Sequence, residues 1–497
     1  MSNRTRVTGM NSGLDTESLV AQLVEAKSIK VKNVTKDQMS MKYKQDAWND
    51  LNKKLKNLFS TVRNMSYQSS YMKKAVSLSD SSVASITASD TAMLSTQNLK
   101  INKLSKTAYL TGGKISIPAE NQTVDGEKAT SATKLESLGV TGELTIKVGD
   151  GETKTIDTTG KTIGDIQTEL TNAGVNANFD AKNQRFYIGA KTEGASGDFT
   201  IGGEAADKLG LSTAGGAVKI DGQQAEIELN GVKYTSDSNV FEINGLTITA
   251  KAETTGDGVS VSTTKDTSAM YSLIKNFITE YSSLINEMDK MYGAKEGSTL
   301  KPLTDEEKAA MSDYEVEKWE EKLKETALYK DSSVRDVTSA LTSIMSEGFE
   351  INGKKMYLFD FGVEAQSYTL AAENEKHALH IKGDADDSAF SSEDNKLKSM
   401  IEADPDAVSS FFTKLSQAVS DKMDKLSARV ANTRSYGSFY DDVKMKADYG
   451  DYTTKIKEME AKLSAYEDKW YDKFARMEKA MAKMQSSQNA LSGLLGQ

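Results

Sequence analysis

Few side chains in this sequence have the types and spacing that catalysis or metal binding requires. The chain of 497 residues has no cysteine and two histidines, His377 and His380. If residues 379–381 form a β-strand, side chains three positions apart point to opposite faces, whereas a shared metal ion needs both on one face. The sequence therefore predicts no metal site at the histidines.

Asp384, Asp386 and Asp387 resemble part of a calcium-binding loop. The glycine and the distal glutamate that an EF-hand requires are misplaced, so we interpret these carboxylates as a solvated acidic turn. The sequence contains no phosphate-binding loop, GxSxG elbow or HExxH motif. We therefore expect no enzyme activity, no catalytic residue, no bound metal and no cofactor.

The composition narrows the classes of partner. The net charge of −10 disfavours general binding to nucleic acid or to a membrane surface. No run of 18 apolar residues occurs, so we expect no membrane insertion. Residues 1–16 lack the apolar segment of an ordinary signal peptide. The sequence thus indicates a cytoplasmic protein, or one exported by a route that does not use such a signal.

The elements that could position functional side chains begin near the N-terminus. Asp15 is a favourable helix N-cap, and a stripe of apolar residues follows it. Nine lysines then lie between Lys27 and Lys56. We interpret these lysines as a solvated helix face, and the alternative is a docking surface for an acidic partner. The apolar stripe consists of Leu19, Val20, Leu23 and Val24.

Three further stretches repeat apolar residues at steps of three and four, which is the spacing of a heptad seam. The first comprises Trp48, Leu51, Leu55, Leu58, Val62 and Met65. The second comprises Met270, Leu273, Phe277, Tyr281, Leu284, Met288 and Met291. The last, within residues 453–491, has one stutter around Phe474, and Gln488 keeps the register between its last two apolar residues. It comprises Ile456, Met459, Leu463, Tyr466, Trp470, Phe474, Met477, Met481, Met484 and Leu491. A helix with one narrow apolar stripe is unstable alone in water, so this last helix needs a partner.

Between residues 77 and 265 the apolar period changes from 3.6 to 2, which is typical of β-strands. Asn230-Gly231 and Asn244-Gly245 are hairpin signals. One helix is expected from Thr162 to Asn172, ending near Gly174. We interpret this block as antiparallel β-structure with a little helix, forming two small domains.

The remaining chain returns to helix. Capping boxes are predicted at Thr304 with Glu307 and at Ser312 with Glu315. A short β excursion is expected over residues 355–382, including Tyr357-Leu358-Phe359. The stretch 431–451 is rich in Tyr, Gly, Ser and Asp, and we interpret it as a loose connection into the final helix.

Together these patterns predict a multidomain α+β protein in which terminal helices form a coiled-coil or helical-bundle stalk with inserted antiparallel β-rich domains. We divide it into a terminal coiled-coil leg, expected to be flexible (1–40 with 451–497), a helical bundle domain with a short β excursion (41–76 with 266–450), an inner β domain (77–107 with 225–265) and an outer β-rich domain (108–224).

Five stretches, in this order, are similar to segments of the flagellar filament cap family, also called hook-associated protein 2. They are GMNSGLDTESLV at 9–20 continuing to LVEAK at 23–27; TIGDI at 162–166 with NAGV at 172–175; WEEKL at 319–323 with LYKD at 328–331; YLFDFGV at 357–363; and LK at 397–398 with DPDAV at 404–408 and FF at 411–412. Each stretch alone is weak, whereas the ordered set is specific.

The resemblance implies a homo-oligomeric ring at the filament tip, outside the cell, under which exported flagellin folds and is inserted. It also implies secretion through the flagellar export channel, with the export machinery and an export chaperone as partners. Three partners for the final helix stay open: the early helix around Leu19 to Lys30 of the same chain, a neighbouring subunit, or flagellin or the filament tip. We expect the terminal helices to be marginal until assembly orders them. The residues expected to contact a partner are Leu14, Leu19, Leu23, Trp470, Phe474, Met477, Met481 and Leu491.

Two alternatives stay open from the sequence. The first is a tip-exposed adhesin or glycan-binding protein that uses the block from Ala108 to Gln224, where Phe186 and Tyr187 are the nearest aromatic candidates. The second is another axial component, such as a hook–filament junction protein, because those proteins also pair terminal helices.

Overall fold

The structure, a computed structural model, describes residues 13–367, 369–387 and 390–495. The chain divides into two compact units. The helical unit contains the residues up to Tyr71 and those from Thr267 onward, and the β unit is Met72–Asp266. The multidomain α+β fold predicted from the sequence is confirmed.

The α-helices are α1 (Thr16–Met65), α2 (Ile163–Ala173), α3 (Ala205–Lys208), α4 (Thr267–Gly293), α5 (Asp305–Ala309), α6 (Asp313–Glu325), α7 (Ser332–Met345), α8 (Lys396–Ala403), α9 (Pro405–Leu426) and α10 (Asp442–Leu495). In the part of the chain that the structure describes, none of these helices combines the length and the hydropathy that a membrane span requires.

The β-strands are β1 (Lys74–Leu78), β2 (Ala84–Ala88), β3 (Ser95–Lys103), β4 (Tyr109–Thr111), β5 (Glu143–Val148), β6 (Lys154–Asp157), β7 (Val175–Asp180), β8 (Arg185–Ala190), β9 (Phe199–Gly202), β10 (Val218–Ile220), β11 (Ala225–Leu229), β12 (Val232–Ser236), β13 (Val240–Ile243), β14 (Leu246–Ala250), β15 (Val259–Lys265), β16 (Phe349–Ile351), β17 (Lys354–Met356), β18 (Val363–Ala365) and β19 (Leu379–Ile381).

One continuous helix of 50 residues, α1, carries both the early apolar stripe and the heptad run that begins at Trp48. A division of this segment at residue 40 therefore falls inside a helix. Asp15 is the N-cap, as predicted, and its Oδ1 accepts a 2.9 Å hydrogen bond from the backbone N of Ser18. The residues Gly9 to Ser12 of the N-terminal motif lie outside the described residues.

The core of the helical unit is built on the second half of α1. All six residues of the heptad run from Trp48 to Met65 are 0% exposed, because α4 and α9 pack against this half of α1. The apolar residues of α4 join the same core, with Leu273 and Met291 at its margin. Burial of an aliphatic or aromatic side chain stabilises a fold by about 1.5–3 kcal/mol, so this half of α1 is anchored firmly.

Both predicted capping boxes are confirmed, at the starts of α5 and α6. The β excursion is confirmed in part, since β17, β18 and β19 form hairpin pairs. The expected strand at Tyr357-Leu358-Phe359 is wrong, because Leu358–Phe361 is a 3₁₀-helix. Asp360 Oδ2 accepts a 2.9 Å hydrogen bond from the backbone N of Tyr357, and Gly362 has φ of 72°, which closes a tight turn in place of an extended strand.

The stretch 431–451 is not a loose connection, because it is tied to α1 and already helical from Asp442. Arg434 Nη2 pairs with Asp441 Oδ1 at 2.8 Å. The ring of Tyr440 stacks on Trp48 with centroids 5.0 Å apart, and its hydroxyl donates a 2.8 Å hydrogen bond to Asn49 Oδ1. These contacts fix where α10 starts.

The β unit contains two separate apolar cores. One core lies between the five-stranded sheet β1-β15-β3-β11-β12 and the three-stranded sheet β13-β14-β2. The other is enclosed by the sheets β10-β4-β8-β7 and β6-β5-β9 together with α2. Two cores in one unit agree with the expected pair of small β domains, while the division of the whole chain into four domains stays a prediction.

The local predictions for the β unit are confirmed. Asn230-Gly231 joins β11 to β12, and Asn244-Gly245 joins β13 to β14. All four residues have positive φ, as the two-residue hairpin turn requires. The helix α2 begins after Thr162, which forms a capping box with Asp165, and Gly174 follows its last residue.

Candidate partner-binding surface on the terminal helices

The first and the last helices of the chain pack against each other in antiparallel orientation. Gln45 Nε2 donates a 3.1 Å hydrogen bond to the carbonyl of Met445. One to two turns back along α1, Gln38 Nε2 donates a 2.6 Å hydrogen bond to Thr453 Oγ1. The partner helix that the final heptad stretch requires is thus α1 of the same chain.

Lys27 extends this pairing toward the N-terminus of α1. Its Nζ lies 4.2 Å from the centre of the Tyr466 ring, a distance at which the ring attracts the cation. By the same spacing Leu23 lies one helical turn from Lys27 and Val20 one turn further, and Val20 is 1% exposed whereas Leu19 is 39% exposed. The residues expected at the front and the back of the chain therefore fall on one pair of helices.

The residues expected to contact a partner are only partly covered in the isolated chain. Leu14, Leu19 and Leu491 are exposed, at 47%, 39% and 60%. The other five are half-buried: Leu23, Trp470, Phe474, Met477 and Met481. Their role in partner binding stays a prediction.

Three aromatic rings follow one another along α10. The ring centroids of Tyr466 and Trp470 lie 6.1 Å apart, and those of Trp470 and Phe474 lie 6.0 Å apart. Lys473 Nζ lies 4.3 Å from the Trp470 ring. The indole Nε1 of Trp470 is shielded from solvent and finds no hydrogen-bond acceptor in residues 13–367, 369–387 and 390–495. A buried donor without an acceptor costs about 1–3 kcal/mol. This face of α10 therefore carries an unsatisfied hydrogen-bond donor.

The middle of the helix pair has little apolar cohesion. From Ile29 to Ala47 on α1, and over residues 443–477 of α10, no side chain is fully buried, and the structure describes all of these residues. A helix pair of this kind is marginal, because helices in water are stabilised mainly by packing of an apolar face.

The sequence prediction missed the polar residues of this contact, although their spacing identifies them. The α1 positions at steps of three and four are Val20, Leu23, Lys27, Val31, Val34, Gln38, Met41, Gln45 and Trp48. Polar side chains at three of these positions interrupt the apolar pattern. The spacing of three and four residues is then the feature that still indicates a helix contact. We call this contact between α1 and α10 the terminal seam.

Six of the nine lysines of α1 are exposed, as the solvated face expected from the sequence requires, and the other three, Lys32, Lys36 and Lys44, are half-buried. Most of them pair with carboxylates of the helical unit itself. Their pairs include Lys36 with Glu307, Lys44 with Asp331 and Lys54 with Glu287, each at 2.6 Å. The sequence did not predict these ion pairs because the carboxylate partners are distant in sequence.

The histidines and the acidic turn also have partners within the helical unit. His377 Nδ1 lies 2.7 Å from Asp289, and His380 Nδ1 lies 2.7 Å from Asp387. The two rings thus bind different carboxylates. Within the described ranges of the chain, no group of three or more His, Asp or Glu residues is arranged to hold a metal ion.

The acidic turn is solvated only in part, because Asp386 is exposed whereas Asp384 is buried, and Lys275 binds both carboxylates. Lys275 Nζ lies 2.7 Å from Asp384 and 2.6 Å from Asp386, and Asp384 is 7% exposed. Burial opposes the charge of Lys275, but the hydrogen bonds with both carboxylates outweigh it and raise its pKa. These groups form a structural ion-pair cluster.

Comparison with known proteins extends over both ends of this chain. Residues 12–108 match the family described as flagellar hook-associated protein 2 N-terminus, and residues 222–486 match its C-terminus. The second match alone covers more than half of the 497 residues. The chain belongs to the flagellar hook-associated protein 2 family. The resemblance stated from the five sequence stretches is confirmed.

Relatives in this family are distant in sequence. Flagellar hook-associated protein 2 of Halalkalibacterium halodurans is 24% identical over 444 residues, covering 81% of this chain and 78% of that protein. The A-type flagellar hook-associated protein 2 of Pseudomonas aeruginosa is 24% identical, covering 83% and 81%. The D1-D2-D3 domains of the flagellar cap protein FliD from Escherichia coli share the fold, with a TM-score of 0.50, 19% identity and coverage of 82% and 99%.

Membership of the hook-associated protein 2 family makes the chain a structural filament cap protein of the bacterial flagellum, which forms oligomers at the filament tip outside the cell. The adhesin and hook–filament junction alternatives are not favoured. The two family matches leave residues 109–221 between them. This interval contains nearly all residues of the β-unit core that the sheets β10-β4-β8-β7 and β6-β5-β9 enclose.

Proposed function

We propose that this cap protein promotes the folding and insertion of exported flagellin and prevents its loss from the filament end. In this proposal the protein forms a homo-oligomeric ring whose terminal helices bind flagellin, the filament tip or a neighbouring subunit. The chain reaches this place through the flagellar export channel, with an export chaperone as an earlier partner. No catalytic chemistry is required, and we assign none.

The observation that carries the proposal is the half-covered terminal seam. Leu19 and Leu491 are exposed, and Trp470 Nε1 is shielded from solvent without an acceptor among the described residues. A partner that covers the apolar side chains and supplies a carbonyl would stabilise this pair of helices. A marginal pair suits a cap that must release and remake its contacts each time a subunit is inserted.

The two halves of α1 differ in burial, and this difference supports the same proposal. The heptad residues of α1 from Trp48 onward lie in the core of the helical unit, whereas no described residue of α1 before Ala47 belongs to that core. A leg requires this arrangement, in which one half of the helix is anchored in a core and the other half is only marginally stabilised. We therefore propose residues 1–40 with 451–497 as the leg, and Leu14, Leu19, Leu23, Trp470, Phe474, Met477, Met481 and Leu491 as its contacts.

Deletion of residues 453–497 tests the proposal in a strain that lacks the native cap. We expect the truncated protein to be exported and its β unit to stay folded, while filament growth stops and flagellin monomers appear in the medium. Lys462→Ala is a matched control, because this side chain is 79% exposed and lies on the deleted helix. Filaments of normal length with the truncated protein would contradict the proposal.

A further inference from the structure

A polar segment crosses α1 at the middle of the terminal seam. Residues 297–331 connect α4 to α7 and include α5 and α6, and we call this segment the strap. Lys301 of the strap pairs with Asp37 of α1 at 2.6 Å, and Glu307 pairs with Lys36 at 2.6 Å. The strap therefore contributes the cation to one ion pair with α1 and the carboxylate to the other.

Two more pairs extend the contact in both directions along α1. Glu306 lies 3.8 Å from Lys32 toward its N-terminus. Asp331, at the end of the strap, lies 2.6 Å from Lys44. The ion pairs thus span three turns of α1, from Lys32 to Lys44.

The strap contributes little apolar packing to the helical unit. Within residues 297–331, all of which the structure describes, Leu328 alone belongs to the buried core. Leu303 and Leu323 are buried outside that core. An open cleft of about 520 Å³ lies beside these contacts, with Met41 of α1, Tyr452 of α10 and Leu323 of the strap in its wall. Charged contacts therefore hold the strap on α1 where apolar contacts would otherwise be expected.

The ion pairs lie where the terminal seam is least cohesive. Between Lys32 and Lys44 no α1 side chain is fully buried. The seam in this section depends on the hydrogen bond between Gln38 and Thr453, which joins uncharged groups. Lys301 and Asp37 are 59% and 41% exposed, so salt screens their ion pair strongly, and it acts less on the partly buried pairs of Lys36 and Lys44. Salt acts only weakly on a hydrogen bond between uncharged groups. Ionic strength should therefore act on the strap before it acts on the seam.

We propose that the strap is an electrostatic clasp that keeps α1 and α10 paired at this polar section. When the strap is bound, it restrains α1 beside α10. When the ion pairs are screened, the strap detaches and the two helices separate more easily around Gln38 and Thr453. The ionic environment then sets the stiffness of the terminal leg, independently of the partner that the leg binds.

Two measurements on the full chain test the clasp. Amide hydrogen exchange should report on residues 301–325 and on α1 residues 32–44. Raising the salt from about 0.1 M to about 1 M shortens the screening length from about 10 Å to about 3 Å, and we expect exchange in both segments to accelerate about tenfold. The chain has no cysteine, so spin labels at Lys30→Cys and Lys462→Cys can report the distance between the two helices. This distance distribution should broaden over the same salt range.

Charge variants separate the clasp from a general effect of salt. Asp37→Lys places like charges at the Lys301 contact and should loosen the strap already at low salt. The double variant Asp37→Lys with Lys301→Asp restores an opposite pair and should return the exchange rates toward those of the unmodified chain. Lys53→Glu is the matched control, since it changes charge on α1 outside the strap contacts and should leave the strap unchanged. Salt-independent exchange, or failure of the double variant to rescue Asp37→Lys, would overturn the proposal.

Discussion

Gln38 Nε2 donates a 2.6 Å hydrogen bond to Thr453 Oγ1, joining side chains that are 415 positions apart in the sequence. This bond brings the first and the last helices of the chain together within the helical unit. It also marks the section where their contact depends on polar groups. The two ends of the chain therefore form one structural element, and its marginal cohesion is the basis of the role that we propose for it.

Leucines on the two halves of α1 should respond differently to truncation. Leu55→Ala opens a cavity in the core, because Leu55 is 0% exposed, and should lower the free energy of unfolding by about 2–5 kcal/mol. Leu19→Ala should change it by less than about 0.5 kcal/mol, because Leu19 is 39% exposed. Denaturant unfolding of the helical unit measures both.

Filament growth should rank the two variants in the opposite order when they are compared at equal amounts of soluble protein. We expect Leu19→Ala to shorten filaments although the fold is unchanged, because we propose that the Leu19 side chain contacts a partner. Equal filament length for Leu19→Ala and the unmodified chain would remove Leu19 from the contact surface.

Acid should loosen the strap through Glu307. Its hydrogen bond with Lys36, followed by that with the backbone N of Thr304, lowers its pKa from the ordinary value of 4.5. The folded state thus favours the ionised carboxylate, so this stabilisation is complete above pH 4.5 and is lost as the pH falls through the lowered pKa. A spin label at Tyr314→Cys, on the exposed face of α6, should gain mobility over that range.

Glu307→Gln provides the comparison for this titration. Glutamine can still cap α5 at this position, but it cannot form the ion pair with Lys36. The label should be more mobile at neutral pH in this variant and should respond less to acid. An unchanged acid response would show that another group controls the strap.

The sequence predicts well the features that depend on local chemistry. Asn230-Gly231 specifies its hairpin because the turn needs positive φ at two adjacent residues, and Thr304 with Glu307 specifies a helix start through its own hydrogen bonds. The burial of Leu55 also follows from the heptad steps around it. In each case the determining contacts lie within a few residues.

Features that depend on distant partners could not be predicted in the same way. Tyr440 is fixed by stacking on Trp48, so the stretch around it lacks a local signal of order. Lys36 resembles any exposed helix lysine until Glu307 is placed beside it. The terminal seam was hidden because Gln38 and Gln45 occupy positions where the heptad pattern expects apolar residues.

Two hairpin glycines provide a test of the β unit. Gly231 and Gly245 have φ of 84° and 79°, so alanine at either position is strained by about 1–2 kcal/mol. An added Cβ at Gly245 would lie 2.8 Å from the backbone N of Ala92, whereas at Gly231 it would meet no atom within 4 Å. Gly245→Ala should therefore lower the free energy of local opening more than Gly231→Ala. Native-state hydrogen exchange of β13 and β14, compared with β11 and β12, measures the difference, and equal effects would contradict it.

Trp470→Phe should separate stability from assembly. The substitution keeps an aromatic ring beside Phe474 but removes the indole N–H, which has no acceptor among the described residues. The isolated chain should lose little or no stability, because a buried unsatisfied donor is removed. Capping should weaken if a partner carbonyl binds this N–H in the assembled flagellum. Unfolding and filament-length assays on the same variant check both outcomes, and a large loss of stability in the isolated chain would contradict the first.

Hydrogen exchange of the terminal helices, before and after cap assembly, shows directly whether the leg is marginal until its partners bind. We expect fast exchange before residue 40 and after residue 450 in the monomer, with slow exchange around Leu55 in the same sample. In assembled caps bound to filaments, both terminal segments should become protected. Monomer protection at the termini equal to that around Leu55, unchanged by assembly, would contradict the account of a marginal leg that its partners stabilise.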